Sequence, residues 1–174
     1  MENWDNMIGK YLVSDAYYRA NRLLKITIFT ALVWSVLTTI FVLVTQMGDM
    51  PPEAMSNMGM VIIFGLVGLV IGLVPTFFMI NGILKAKWET FILIMYVISS
   101  LSVIYNLYNI FNGNIPFAYT PLMKGMQIIS YMLTIVGLYG AIQAYRFRDE
   151  KVLADDMDFY VDEEEMDEED SFMN

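Results

Sequence analysis

The sequence predicts an all-α integral membrane protein: a four-helix bundle with both termini in the cytoplasm, a short N-terminal amphipathic helix and a disordered acidic C-terminal tail. Three observations predict it. Residues 26–46, 58–84, 90–111 and 122–145 form apolar stretches of 21 to 27 residues, in which Lys124 is the only charged side chain. About 20 such residues suffice to cross a hydrocarbon core of about 30 Å. The 174-residue chain is 57% hydrophobic with a mean hydropathy of +0.51, beyond the roughly 45–50% apolar usage of soluble domains. Nine of its ten Lys and Arg residues fall in the segments that an up-down-up-down arrangement puts on one side: Lys10, Arg19, Arg22, Lys25, Lys85, Lys87, Arg146, Arg148 and Lys151. Basic residues near span ends mark the cytoplasmic face.

Residues 1–25 read as a cytoplasmic amphipathic segment. Trp4, Met7, Ile8, Tyr11 and Leu12 recur at i, i+3, i+4, i+7 and i+8, the apolar stripe of a helix lying in the membrane interface. The first span, 26–46, is expected to stay rather than be cleaved as a leader: its start is long and carries Glu2, Asp5 and Asp15, and no small-x-small site follows it. Gly48, Asp49, Pro51, Pro52 and Glu53 then supply an outer turn without a base.

The second span, 58–84, would be about 40 Å long at 1.5 Å per residue, so tilt, a kink or emergent ends must absorb the excess. Gly65, Gly68 and Gly72 lie on it, the last two in GxxxG spacing, which places two glycines on one face where a neighbouring helix can pack closely. Pro75 removes a helical hydrogen bond and predicts a kink around residues 71–75. Gly137 and Gly140 are the corresponding packing positions on the fourth span.

A short basic turn leads to the third span, 90–111, where Ser99, Ser102, Asn106 and Asn109 recur at spacings of three and four. On the fourth span, 122–145, Gln127, Ser130 and Thr134 repeat that spacing. Amides are costly against lipid, so both stripes are expected to look inward and to pair, as interhelical hydrogen bonds or as the lining of a polar cavity. The intervening loop, 112–121, holds Gly113, Pro116 and Pro121 with interfacial Phe117 and Tyr119.

Residues 146–174 are a basic clamp followed by an acidic tail. Pairs at i, i+4, Arg146 with Glu150 and Lys151 with Asp155, are expected to carry the fourth helix a turn into water. Residues 155–170 hold eleven of the nineteen acids and no base; without them the net charge of −9 becomes +2. Such charge density predicts disorder. Asp155, Asp156, Asp158, Asp162, Glu163, Glu164 and Glu165 are interleaved with Phe159 and Tyr160, a pattern suited to docking on a basic, partly apolar partner.

Chemistry is scarce. The chain has no His and no Cys, which removes the commonest general base, thiolate metal sites, disulfides and thioester lipidation. No phosphate-binding, zinc-protease or nucleophile-elbow motif occurs, and no EF-hand spacing. Pumps and exchangers place ionisable residues within the membrane, and apart from Lys124 the spans have none. The first span lacks the carboxylate on which small four-span multidrug exporters depend, and the outer loops lack the cysteines of tetraspanin-like proteins. No catalytic residue, cofactor, metal or nucleic-acid partner is expected. The expected partners are the lipid bilayer and another protein, with homo-oligomers left open, in a bacterial cytoplasmic membrane. The expected role is a non-enzymatic accessory, scaffold or regulatory subunit that recruits a partner through its tail. The alternative is a small channel or transporter subunit for an uncharged or weakly charged solute.

Overall fold

A computed structural model describes residues 6–48, 58–112 and 121–153. Two short strands, β1 (Asn6–Ile8) and β2 (Tyr11–Val13), precede four helices, α1 (Asp15–Gly48), α2 (Met58–Leu84), α3 (Glu89–Phe111) and α4 (Pro121–Arg146), and a last strand, β3 (Lys151–Leu153), closes the described chain. All four helices are long and apolar enough to cross a membrane. The protein is therefore mostly helical, with a small sheet added at one end.

The N-terminal amphipathic helix is the first correction. Met7 and Ile8 lie in β1, Tyr11 and Leu12 in β2, and helix begins only at Asp15; Trp4 lies outside the described residues. Gly9 decides against helix. Its φ of 63° is the positive value that a II′ hairpin turn needs at its first central position, and a glycine inside a helix costs about 1 kcal/mol against alanine. Aromatic and β-branched residues flanking Gly9 and Lys10 then pair as strands, with Ile8 opposite Tyr11 and Asn6 opposite Val13.

The second correction concerns the C-terminal clamp. α4 stops at Arg146, and after a turn β3 pairs antiparallel with β2, Val13 opposite Lys151 and Tyr11 opposite Leu153. The expected Arg146–Glu150 pair does not organise this segment: Glu150 binds Ser14, Lys151 binds Glu89, and Asp155 lies outside the described residues. The first and last described segments thus meet in one three-stranded sheet of order β1-β2-β3.

α1 starts at a cap that the expected boundary at residue 26 did not include. Ser14 Oγ accepts from the Tyr17 amide at 3.2 Å, the N-cap geometry that satisfies an orphan helix donor, and Asp15 places negative charge on the first turn. At 34 residues α1 is about 51 Å long, some 20 Å more than a hydrocarbon core requires. α2 runs unbroken through Pro75, and the Thr76 hydroxyl donates to the Gly72 carbonyl at 3.1 Å. Pro121 opens α4 at the first helical position, where its missing N–H costs nothing.

α1 packs on α4 and on α2, and α4 packs on α3; α2 and α3 touch less and are joined by the short turn 85–88. There Phe78 and Trp88 lie 5.7 Å apart, and Trp88 adopts φ 64°, a left-handed conformation for a bulky residue, seated against Gly82. The buried core is confined to this end of the bundle. Leu24 and Ile28 of α1, Ile83 of α2, Ile92 and Tyr96 of α3, and Ala141 and Ala144 of α4 form one cluster, with Val13, Tyr17 and Ala86 beneath it. Small residues on α4 permit the approach: a Cβ on Gly137 would lie 2.1 Å from the Tyr96 ring, and one on Gly140 would lie 3.2 Å from Leu24. Away from this end large apolar side chains are exposed, among them Ile71, Phe77, Tyr105, Phe111 and Met132.

Candidate functional site

Among the described residues, polar groups gather in a clasp and along a cleft. The first is a clasp beneath the bundle, where the N-terminal sheet, the α2–α3 turn and the segment after α4 converge. Lys151 Nζ donates to Glu89 Oε1 at 2.5 Å and to the Ala86 carbonyl at 2.9 Å, and lies 5.5 Å and 5.4 Å from the ring centroids of Tyr11 and Tyr17. The Tyr17 hydroxyl donates to the same Glu89 oxygen at 2.5 Å. Lys151 and Glu89 side chains are only 15% and 11% exposed, so each ion depends on the other for most of its stabilisation. Glu89 also opens α3, where the helix dipole favours its charge.

Around that pair the backbone is tied down. Ser14 donates through its amide to the Glu150 carbonyl at 3.2 Å, and through its hydroxyl to the Glu150 carboxylate. Buried Asn21 donates to the Ile83 carbonyl at 3.0 Å, satisfying an acceptor near the end of α2. The clasp thus consumes its polar groups in mutual contacts. Among the described residues no three carboxylates converge as a metal site.

The second place is a cleft of about 440 Å³ between α1, α2 and α3, closed on one side by Thr134 of α4. Its walls are apolar side chains, the glycine face of α2 and a set of hydroxyls, without Asp, Glu, Lys or Arg. A smaller cavity of about 240 Å³ between α1, α3 and α4 shares Ala31, Ser35, Tyr96 and Thr134 with it. Tyr96, 8% exposed, therefore stands where the two spaces meet, the phenol end of its ring against Gly137.

The residues singled out from sequence separate into three groups. Gly137 and Gly140 are buried in helix contacts. Gly65 lies 3.5 Å, measured from its would-be Cβ, from Leu43, but a Cβ on Gly68 or Gly72 would meet nothing within 4 Å among the described residues; these two line the cleft. Pro75 is half-buried.

The polar stripes do not pair with each other. Ser130 accepts from Trp34 Nε1 of α1 at 3.0 Å, and Thr134 and Ser99 line the cleft, whereas Ser102 and Asn106 are exposed on α3 and Asn109 and Gln127 are half-buried outside the cleft. Trp34 of α1 takes Ser130, in keeping with the packing of α4 on α1, while Tyr96 of α3 rests on Gly137 of α4. The tail positions from Asp155 to Glu165 lie outside the described residues.

Sequence reasoning missed Glu89, Tyr17, Lys151 and Tyr96. An acid inside the basic turn at Lys85–Glu89 was a visible signal for the first, since an acid among cytoplasmic bases is most useful when it binds one of them. Tyr96 carried no signal, because one tyrosine in an apolar span looks like any other aromatic. No protein-family model, no curated protein and no solved structure matches the chain.

Proposed function

We propose that this protein is a non-enzymatic accessory subunit of a bacterial cytoplasmic membrane, with both termini in the cytoplasm, whose acidic tail recruits a partner. The observation that carries the reading is the clasp. β3 is held to β2 by ladder hydrogen bonds and to the α2–α3 turn by Lys151, so the acidic residues beginning at Asp155 follow a fixed point on the body. A tail tied to a rigid platform has a restricted range of positions, which raises its effective concentration towards a partner in the same membrane. The bases of the body, including Lys10, Arg22, Lys85 and Arg146, belong to segments at the sheet end and suit the cytoplasmic leaflet.

Deletion of residues 155–174 tests the recruitment. Proteins that co-purify with the full chain in mild detergent are expected to be lost from the truncated chain while the membrane body accumulates normally; an unchanged set of co-purifying proteins would refute it. A channel or transporter subunit for an uncharged solute is the second reading, supported by the uncharged cleft; Asn106 and Asn109, on which the sequence placed it, are not among the cleft residues.

A further inference from the structure

We propose that the cleft between α1, α2 and α3 is a binding site for a lipid-soluble alcohol, a single neutral hydroxyl on an apolar body, anchored by the phenol of Tyr96. The inference is independent of the tail and of any partner it recruits.

The ligand class follows from an inventory of the walls. No acid or base lines the cleft, so a charged ligand would be desolvated without a counter-ion. Its volume of about 440 Å³ lies within the roughly 300–1,000 Å³ typical of small-molecule sites. Threonine and serine hydroxyls supply the polarity, and most of their protons are already committed. Thr39 donates to Ser35 O at 2.8 Å, Ser99 to Met95 O at 2.9 Å, Thr134 to Ser130 O at 3.0 Å, and Thr76 to Gly72 O at 3.1 Å. What these four still offer is acceptor lone pairs.

Tyr96 supplies the complement. It is more than nine-tenths buried, its carbonyl accepts from Ser100, and its phenol has no hydrogen-bond partner among the described residues. A phenol that lines the cleft without a partner is a donor open to a ligand's acceptor. Tyr96 and Thr134 both line the two adjoining cavities. A ligand hydroxyl there accepts from Tyr96 and donates to a threonine or serine oxygen, using both capacities at once. A hydrocarbon uses neither, and a carbonyl only the first.

The glycines make the room. A Cβ on Gly68 or Gly72, both of which line the cleft, would meet nothing within 4 Å, so an added side chain starts in open space there.

The experiment uses the full chain in lipid nanodiscs and a hexadecan-1-ol bearing a diazirine, photolysed and mapped by mass spectrometry. Labelling is expected to saturate and to fall on peptides spanning residues 65–79 and 95–99. Unlabelled hexadecan-1-ol should compete about three- to tenfold better than hexadecane, the difference one hydrogen bond makes. Tyr96→Phe should abolish that preference and leave competition by hexadecane as it was. Gly72→Leu, and independently Gly68→Leu, should abolish saturable labelling at an unchanged unfolding temperature. Non-saturating label spread over the exposed helix faces would overturn the site. So would an alcohol preference that survives Tyr96→Phe, or a Gly72→Leu variant that passes from dimer to monomer, which would assign the cleft to a second copy of the chain.

Discussion

At the scale of single residues, glycines of one type play opposite parts according to what stands beside them. Gly137 is the seat of the Tyr96 ring, and the smallest added side chain would overlap it at 2.1 Å. The Gly137→Ala variant is therefore expected to lose about 1–3 kcal/mol, the usual cost of overpacking. Gly68 faces open space, so Gly68→Ala is expected to leave stability unchanged or to raise it by up to about 1 kcal/mol through its higher helix propensity. Thermal unfolding of both variants in the same detergent checks the pair, and equal losses would show that Gly68 is not facing a void. Positive φ at Ala86 and Trp88 belongs to this scale too. Each sits in a left-handed conformation that costs a non-glycine residue about 1–2 kcal/mol, held by burial of Ala86 and by the packing of Trp88 on Gly82, Phe78 and Phe91.

At the scale of elements, the unit that joins the first and last described segments is the three-stranded sheet with its buried ion pair. Two-stranded hairpins of three residues a side are marginal in water, so β1 and β2 depend on β3 and on the helices beneath them. Lys151 and Glu89 supply part of that dependence. Glu89→Gln leaves a nearly buried ammonium without its counter-ion, and a loss of about 3 kcal/mol is expected. Lys151→Met leaves the carboxylate unpaired at a similar cost. The double variant should recover much of either loss, since no unpaired charge remains, and a double-mutant cycle on unfolding free energies measures the coupling. Strictly additive losses would mean that the two residues do not depend on each other.

At the scale of the whole molecule, packing is graded from one end of the bundle to the other. The end with the sheet holds every residue of the two buried clusters, while the helices beyond it present Ile71, Phe77, Tyr105 and Phe111 outward. Exposed side chains of this kind are inconsistent with water as their solvent and suit hydrocarbon. Absence of cysteine makes the orientation directly testable. Single cysteines replacing Lys10 or Lys85 are expected to resist a membrane-impermeant maleimide in intact cells and to react after permeabilisation. A cysteine replacing Lys124 should react in intact cells, and the reverse pattern would invert the topology.

The number of apolar helices was legible because crossing a membrane demands a long uncharged run whatever its neighbours, whereas α1 begins eleven residues before the expected start at residue 26. Residues 58–84 were expected and α2 is Met58–Leu84; residues 90–111 and 122–145 differ from α3 and α4 by one residue at an end. The N-terminal hairpin was misread because five apolar positions at helical spacing over nine residues are too short a pattern to exclude strands, and β3 was missed because Lys151–Leu153 becomes a strand only beside β2. The cleft was illegible for the same reason. Local composition marked Gly68 and Gly72 as a surface for close approach, and only the packing of α1 on α4 and α2 left that surface unfilled beside an unpartnered phenol. Hydrophobicity is a property of each segment alone and so survives in the sequence; which side chain meets which partner depends on residues tens of positions apart, and tertiary structure alone decides it.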